Sequence, residues 1–361
     1  RLRELEAVPL TCFTPHAFVL EGWAPSRSRG ILESRLRSTF GDAVVVAELS
    51  REDWASEEAP VVLSNPRLFR PFEALVKVFP LPRYGTIDPT PFVAVFFPAF
   101  FGLMVGDIGY GAVLAIAGLV LHRLSRPETM LRTAAEIIGP CALFTIIAGF
   151  LFGEAFGDVG KRLGLHPLAF DRHEAMIPFL LLAVSLGAVH ILLGMGLGIA
   201  SAIRHNPREA MGRGVAALMV VLVIFALLAA VKVLPKSFFT PAVIGLLVAF
   251  PLLIVLEGIV APIELLSTLG NILSYARIMA LGVASVMLAV VANKMVGAIG
   301  SLVVGVMFAL LFHFVNFAIA MFSPTVHALR LHYVEFFGKF YSPGGVRYQP
   351  FGHWSPAGRP I

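Results

Sequence analysis

The chain has 361 residues, of which 57% are hydrophobic and 14% charged, with a formal net charge of +5 and a mean hydropathy of +0.83. An ordinary soluble domain carries about 25% charge, so this balance excludes one and defines a multi-span helical membrane protein with a small soluble part. The positive excess reads as loop arginine that sets membrane topology, not as a nucleic-acid surface.

Residues 1–86 read as soluble. Cys12 to Trp23 is strand-like and ends at Gly22-Trp23-Ala24-Pro25. Ser26 or Ser28 suits the start of a helix carrying Ile31, Leu32, Leu36 and Phe40 on one face. Gly41-Asp42 turns into Ala43–Ala47, a short buried strand, so a strand–helix–strand α/β unit is expected. Asn65-Pro66 opens a second helix through Phe72, Leu75 and Val76, which stops before Pro80. Cys12 and Cys141 form no spacing pattern, and neither a disulfide framework nor a metal site is expected. The chain begins at Arg1 without Met, so it reads as a piece of a longer one.

From Pro91 onward apolar runs dominate. Eight spans are expected, at about 91–105, 107–124, 134–153, 175–203, 211–233, 239–258, 262–295 and 300–336. A span needs about 20 residues, so the first is short, and 91–124 reads as a tight hairpin broken at Gly106-Asp107. The last two are too long for an upright helix and must tilt strongly or project from the bilayer. His122, Arg123, Arg126 and Arg132 follow span two, Arg204, Arg208 and Arg213 follow span four, and Lys339, Arg347 and Arg359 lie in the tail. On the opposite side Lys161, Arg162 and Arg172 are offset by Asp158, Asp171 and Glu174. This bias places both termini in the cytoplasm.

Two arginines stand in the last two apolar runs, Arg277 and Arg330. A guanidinium at mid-membrane costs roughly 2.5–3.5 kcal/mol on the insertion scale, and it does not escape by losing its proton. Such residues face protein or water and handle ions. On span seven, Ser267, Gly270, Ser274, Arg277, Leu281 and Ala284 share one face at i+3/i+4 steps, with small residues that let another helix approach. Glu264, Thr268, Asn271 and Tyr275 form a second track. Span eight carries His313, Asn316, Ser323, His327 and Arg330 in one stripe. Pro324 is expected to kink that helix, and histidine suits proton transfer near neutral pH. The membrane region has few acids: Asp107, Glu154, Glu257, Glu264 and Glu335. Asp107 suits a helix cap as well as a channel role. Arg330 has Glu335 within reach, whereas Arg277 has no acid at i±3 or i±4 and needs a partner from elsewhere.

Five ordered segments resemble the membrane stator subunit of rotary V/A-type ATPases, called subunit a in eukaryotes and subunit I in prokaryotes. They are Gly22–Pro25, Ile87–Phe92, Phe101–Gly111, Asn271–Leu281 and His327–Tyr341. The resemblance implies an all-α polytopic membrane protein of about eight helices, the last two long and tilted, with a small N-terminal α/β segment. It divides the chain into the end of a cytoplasmic arm (1–86), an ion-translocation domain (87–341) and a tail (342–361). It implies two offset half-channels that carry protons or sodium ions to the carboxylates of a rotating ring of small subunits. Arg277 matches the family's essential arginine, and Arg330 matches its second. Glu264 and Asn271 match the cytoplasmic side, while His327, Asp107 and Glu154 match the outer side. Ser267, Gly270, Ser274, Leu281 and Ala284 would face the ring. The further partners implied are stalk subunits and the bilayer, in a prokaryotic cell membrane, with no nucleic acid. Eukaryotic members carry an acid about ten residues before the second arginine. Ala320–Pro324 has none here, which favours the prokaryotic branch and leaves the outer path to Asp107, Glu154, His313 and His327.

No phosphate-binding Gly-x-x-x-x-Gly-Lys-Ser/Thr is present, so no nucleotide chemistry and no cofactor are expected of this chain. A secondary transporter that binds an anion through its arginines would need an internal repeat, and none is visible. A non-transporting scaffold accounts for the small face but not for the polar stripes.

Overall fold

A computed structural model describes residues 11–49, 59–172, 174–203, 206–298 and 301–349; Arg204 and Arg359 of the topology argument lie outside them. The chain divides into two compact units. One draws on residues 1–63, 80–86 and 342–361, and the other on 64–79 and 87–341.

In the first unit, β1 (Thr11–Phe13) and β2 (Phe18–Leu20) pair antiparallel, with Thr11 opposite Leu20. Helix α1 (Arg29–Phe40) follows as expected, but none of its residues is buried. The expected strand at Ala43–Ala47 does not form, and Val45 is 90% exposed. A strand exists only beside a partner that takes up its N–H and C=O groups, and among the described residues nothing pairs with it. The strand–helix–strand unit is therefore corrected to a hairpin followed by a helix. Residues β3 (Pro60–Val61) and β4 (Val346–Arg347) add a short parallel pair.

The second unit is helical. Residues 70–76 form the expected helical segment, as a 3₁₀ turn running into a single α turn. Asp88 accepts the Thr90 backbone N–H at 2.9 Å and its hydroxyl at 2.6 Å, which launches α2 (Thr90–Val105). Then come α3 (Ile108–Leu124), α4 (Met130–Phe152), α5 (Met176–Ile203), α6 (Pro207–Ala230) and α7 (Phe239–Glu257). The last two apolar runs give α8 (Ala261–Leu273), α9 (Ala276–Ala298) and α10 (Leu302–Arg330). Helix α3 packs on α4, α6 on α7 and α9 on α10, while α2 touches α4, α9 and α10. Among the described residues six helical runs are long and apolar enough to cross a membrane, and α2 and α3, with 16 and 17 residues, are shorter. The chain is an all-α polytopic membrane protein.

Span seven is not one unbroken α-helix. At Ser274-Tyr275 the bonding tightens to i−3, with Tyr275 N–H to Ile272 C=O at 3.1 Å and Ile278 N–H to Tyr275 C=O at 2.9 Å. Span eight changes winding too. After Arg330 it continues as a π-helical turn over Leu331–Phe336. Such turns recur at functional sites.

Candidate functional site

The partner that Arg277 lacks on its own helix comes from the π turn. Arg277 Nη1 lies 3.6 Å from Glu335 Oε1, and the two side chains are 20% and 2% exposed. This exceeds hydrogen-bond distance, so Arg277 Nη1 and Glu335 Oε2 have no hydrogen-bond partner among the described residues. Sequence proximity left a pairing of Glu335 with Arg330 open as an alternative. The structure decides against it, because Arg330 is exposed while Glu335 turns inward. A π turn advances less per residue than an α turn and re-aims the side chains that follow it.

Tyr275, two residues before Arg277, is fully buried. Its hydroxyl meets His190 Nδ1 of α5 at 2.6 Å. The ring lies against Gly187, where an added Cβ would come within 2.5 Å of it. His190 in turn stacks on Phe336 at 3.9 Å between ring centroids and lies 5.1 Å from His332. This buried aromatic and imidazole cluster joins α5, the tightened turn and the π turn behind Arg277. Along the same run Ser267, Gly270 and Ala284 are exposed and Ser274 and Leu281 are half-buried.

At the end bearing the 153–175 loop, a hydrogen-bonded series runs inward. Asn293 Nδ2 donates to Asp158 Oδ1 at 2.5 Å, and Asn293 Oδ1 meets His313 Nε2 at 2.9 Å. His313 Nδ1 meets the Tyr110 hydroxyl at 2.8 Å, and Asn316 Nδ2 donates to that hydroxyl at 2.9 Å. The Asn316 amide oxygen is buried with no hydrogen-bond partner among the described residues. Burial pushes the Asp158 carboxyl up, but Asn293 and Arg162 outweigh it and hold the group below its ordinary value.

Asp107 and Glu154 sit beside this series in a different role. Asp107 accepts the backbone N–H of Tyr110 at 3.0 Å, of Phe156 at 2.9 Å and of Gly157 at 2.8 Å, capping α3 and tying down the loop. Glu154 forms a buried forked pair with Arg172. Arg172 also donates to the carbonyls of Leu103, Val105 and Gly106, at 3.0 to 3.2 Å, where the C-terminal dipole of α2 favours a cation. Gly106 is left-handed with φ of 48°, and a Cβ there would lie 2.6 Å from Arg172 Nη1. Glycine is required on both counts.

At the opposite end Lys339 Nζ donates to Thr268 Oγ1 at 2.7 Å, and Thr268 Oγ1 donates to the Glu264 carbonyl at 2.8 Å. A cavity of about 530 Å³ opens here, lined by Arg208, Glu209, Arg213, Glu257, Glu264 and Lys339 among others. Glu264 is exposed and Asn271 half-buried. His327 is half-buried, and its Nδ1 has no hydrogen-bond partner among the described residues.

Sequence reasoning missed His190, Arg172, Asn293 and the Glu335 partnership. The lone histidine of a 28-residue apolar helix was a visible signal for His190. Arg172 looked like an ordinary loop charge, because its partners lie 18 and 66 to 69 residues away. Among the described residues no group of His, Cys, Asp and Glu is placed to hold a metal ion.

Long apolar helices whose buried charges pair across elements define a polytopic membrane protein that keeps ionisable groups inside its helical bundle. Residues 10–156 and 254–353 match the model of the V-type ATPase 116kDa subunit family, and the chain belongs to that family. It is 33% identical over 411 residues to the A-type ATP synthase subunit I of Archaeoglobus fulgidus, across 95% of this chain and 59% of that protein. The subunit I of Thermococcus kodakarensis is 34% identical, across 95% of this chain and 55% of that protein. That of Methanothermobacter thermautotrophicus is 31% identical, across 94% of this chain and 52% of that protein. The chain thus spans little more than half the length of these relatives.

Proposed function

We propose that the helical unit is the ion-translocating stator of a rotary V/A-type ATPase. Arg277 carries the reading. It is a permanent cation beside an exposed stripe of small residues (Ser267, Gly270 and Ala284), with a polar route approaching from each end. A ring carboxylate passing this face meets Arg277 and stays ionised, since an opposite charge within about 4–6 Å favours the charged form. An ion therefore has no direct path from one route to the other.

The outer route runs along Asn293, His313, Tyr110 and Asn316, with His327 and Arg330 further along α10. Asp107 and Glu154 hold the loop that forms its mouth. The cytoplasmic route opens at the cavity beside Glu264 and passes Asn271. Both termini lie in the cytoplasm of a prokaryotic cell, on the side rich in loop arginine. Protons, or sodium ions, pass to and from the ring, and ATP chemistry belongs to partner subunits bound through the stalks.

The test is ion-coupled ATP turnover by the intact complex in proteoliposomes, comparing wild type with Arg277→Ala and Arg277→Lys. Both variants are expected to assemble and to lose coupled transport. Near wild-type pumping by assembled Arg277→Ala would sink the reading.

A further inference from the structure

A second cavity, about 680 Å³ in volume and not lined by Arg277, lies between α3, α4 and the segment before α2. Its rim carries Arg67, Arg70 and His122, and its floor includes Gly118, Gly139 and Pro140. Arg67 and Arg70 are exposed, and neither side chain has an ion-pair or hydrogen-bond partner among the described residues. The carboxylate on the wall, Glu136, is already engaged by Arg132 Nε at 3.3 Å and lies 4.0 Å from His122 Nε2. The groove therefore offers two free cations above an apolar floor.

We propose that this groove binds an anionic phospholipid, with its phosphate between Arg67 and Arg70 and an acyl chain against Gly139 and Pro140. Depth identifies the occupant. Gly118 lies six residues inside α3 and Gly139 nine inside α4, which at 1.5 Å per residue is about 9 and about 14 Å from the helix ends. With the membrane surface at the charged ends of these helices, marked by His122, Arg132 and Glu136, that floor would face acyl chains while the arginines would lie at headgroup level. A soluble acidic segment would satisfy the arginines but would leave the floor empty. A Cβ at Gly139 would meet nothing within 4 Å, so the wall is open where an acyl chain needs room.

The experiment uses the intact complex in phosphatidylcholine nanodiscs doped with a photoactivatable phosphatidylglycerol or phosphatidylcholine, with crosslinked peptides mapped by mass spectrometry. Phosphatidylglycerol is expected to label 67–71 and 135–140 in preference to phosphatidylcholine. Arg67→Gln/Arg70→Gln should lower that labelling on the order of tenfold, since each cation near an anionic lipid contributes on the order of 1 kcal/mol. Gly139→Phe, which fills the floor and leaves both arginines in place, should lower it as well. Neither site contacts a buried partner, so both variants fold. Equal labelling by the two lipids, or labelling that survives either variant, overturns the proposal. So do crosslinks from this groove to a partner subunit in place of lipid. None of these results bears on Arg277.

Discussion

Substituting Arg277 alone would confound two effects, the loss of transport that the proposed function predicts and a loss of stability that follows from its pairing with Glu335. At 3.6 Å the attraction between Arg277 and Glu335 is about 5 kcal/mol at an effective dielectric of about 20. Much of it offsets the cost of holding a carboxylate that is only 2% exposed. Removing one partner strands the other, at a cost of about 3–5 kcal/mol. Arg277→Ala is therefore expected to weaken the subunit as well as to stop transport. Arg277→Ala/Glu335→Gln removes both charges, so it should regain most of the stability and none of the transport. The assay is the thermal midpoint of the assembled complex, read beside coupled ATP turnover, for wild type, the two single variants and the double. A coupling energy of at least about 1 kcal/mol is expected. Equal losses of stability in Arg277→Ala and the double variant would refute the reasoning, because Glu335 would then not be the partner that Arg277 leaves behind.

Arg172→Ala leaves Glu154 and the α2 carbonyls without their donor and should lower thermal stability by about 3–5 kcal/mol; Arg172→Lys, which lacks the planar fork, should recover little of it. Asp107→Ala frees three backbone N–H groups and should cost about 1–3 kcal/mol, whereas Asp107→Asn keeps one acceptor and should cost less; both follow from thermal unfolding. Gly187→Val drives a side chain into Tyr275 and should cost about 1–3 kcal/mol, while Gly196→Ala, where a Cβ meets nothing within 4 Å, is the neutral control. In the 153–175 loop, the Asp158 carboxyl is held below its ordinary value and Lys161, bonded to Asp171, is pushed above its own. The Asp158 contribution is present above the unfolded carboxyl value and is lost as pH falls through the depressed folded one. The Lys161 contribution is present below the unfolded lysine value and is lost as pH rises through the raised one. Hydrogen-exchange protection in this loop, taken relative to the intrinsic rate at each pH, should therefore be greatest between those limits and lower on either side.

The helices were legible because a bilayer demands long apolar runs, and few other folds supply them. The exposure of Ser267, Gly270 and Ala284, which helical spacing groups in the sequence, was legible too. Three kinds of feature were not. Windings that depart from the α period, at Ser274-Tyr275 and Leu331–Phe336, arise from packing against α5 and the Phe336 cluster, and leave no mark on apolar periodicity. Pairings between distant elements, such as Arg172 with Glu154, follow from topology. The Ala43–Ala47 segment has the composition of a strand, but composition does not supply the neighbour that a strand requires.

The π turn has a consequence for chain length. Between Arg330 and Phe337 the helix carries more residues per turn than an α-helix allows. Winding the same six residues as an ordinary α-helix would swing everything beyond them by roughly 100°. Glu335 would leave Arg277, and Phe336 would leave His190, though each residue type was still present. In this stretch spacing is as strict as identity. Substitutions at Val334 or Gly338, which are both exposed, should be accepted far more readily than the gain of a single position.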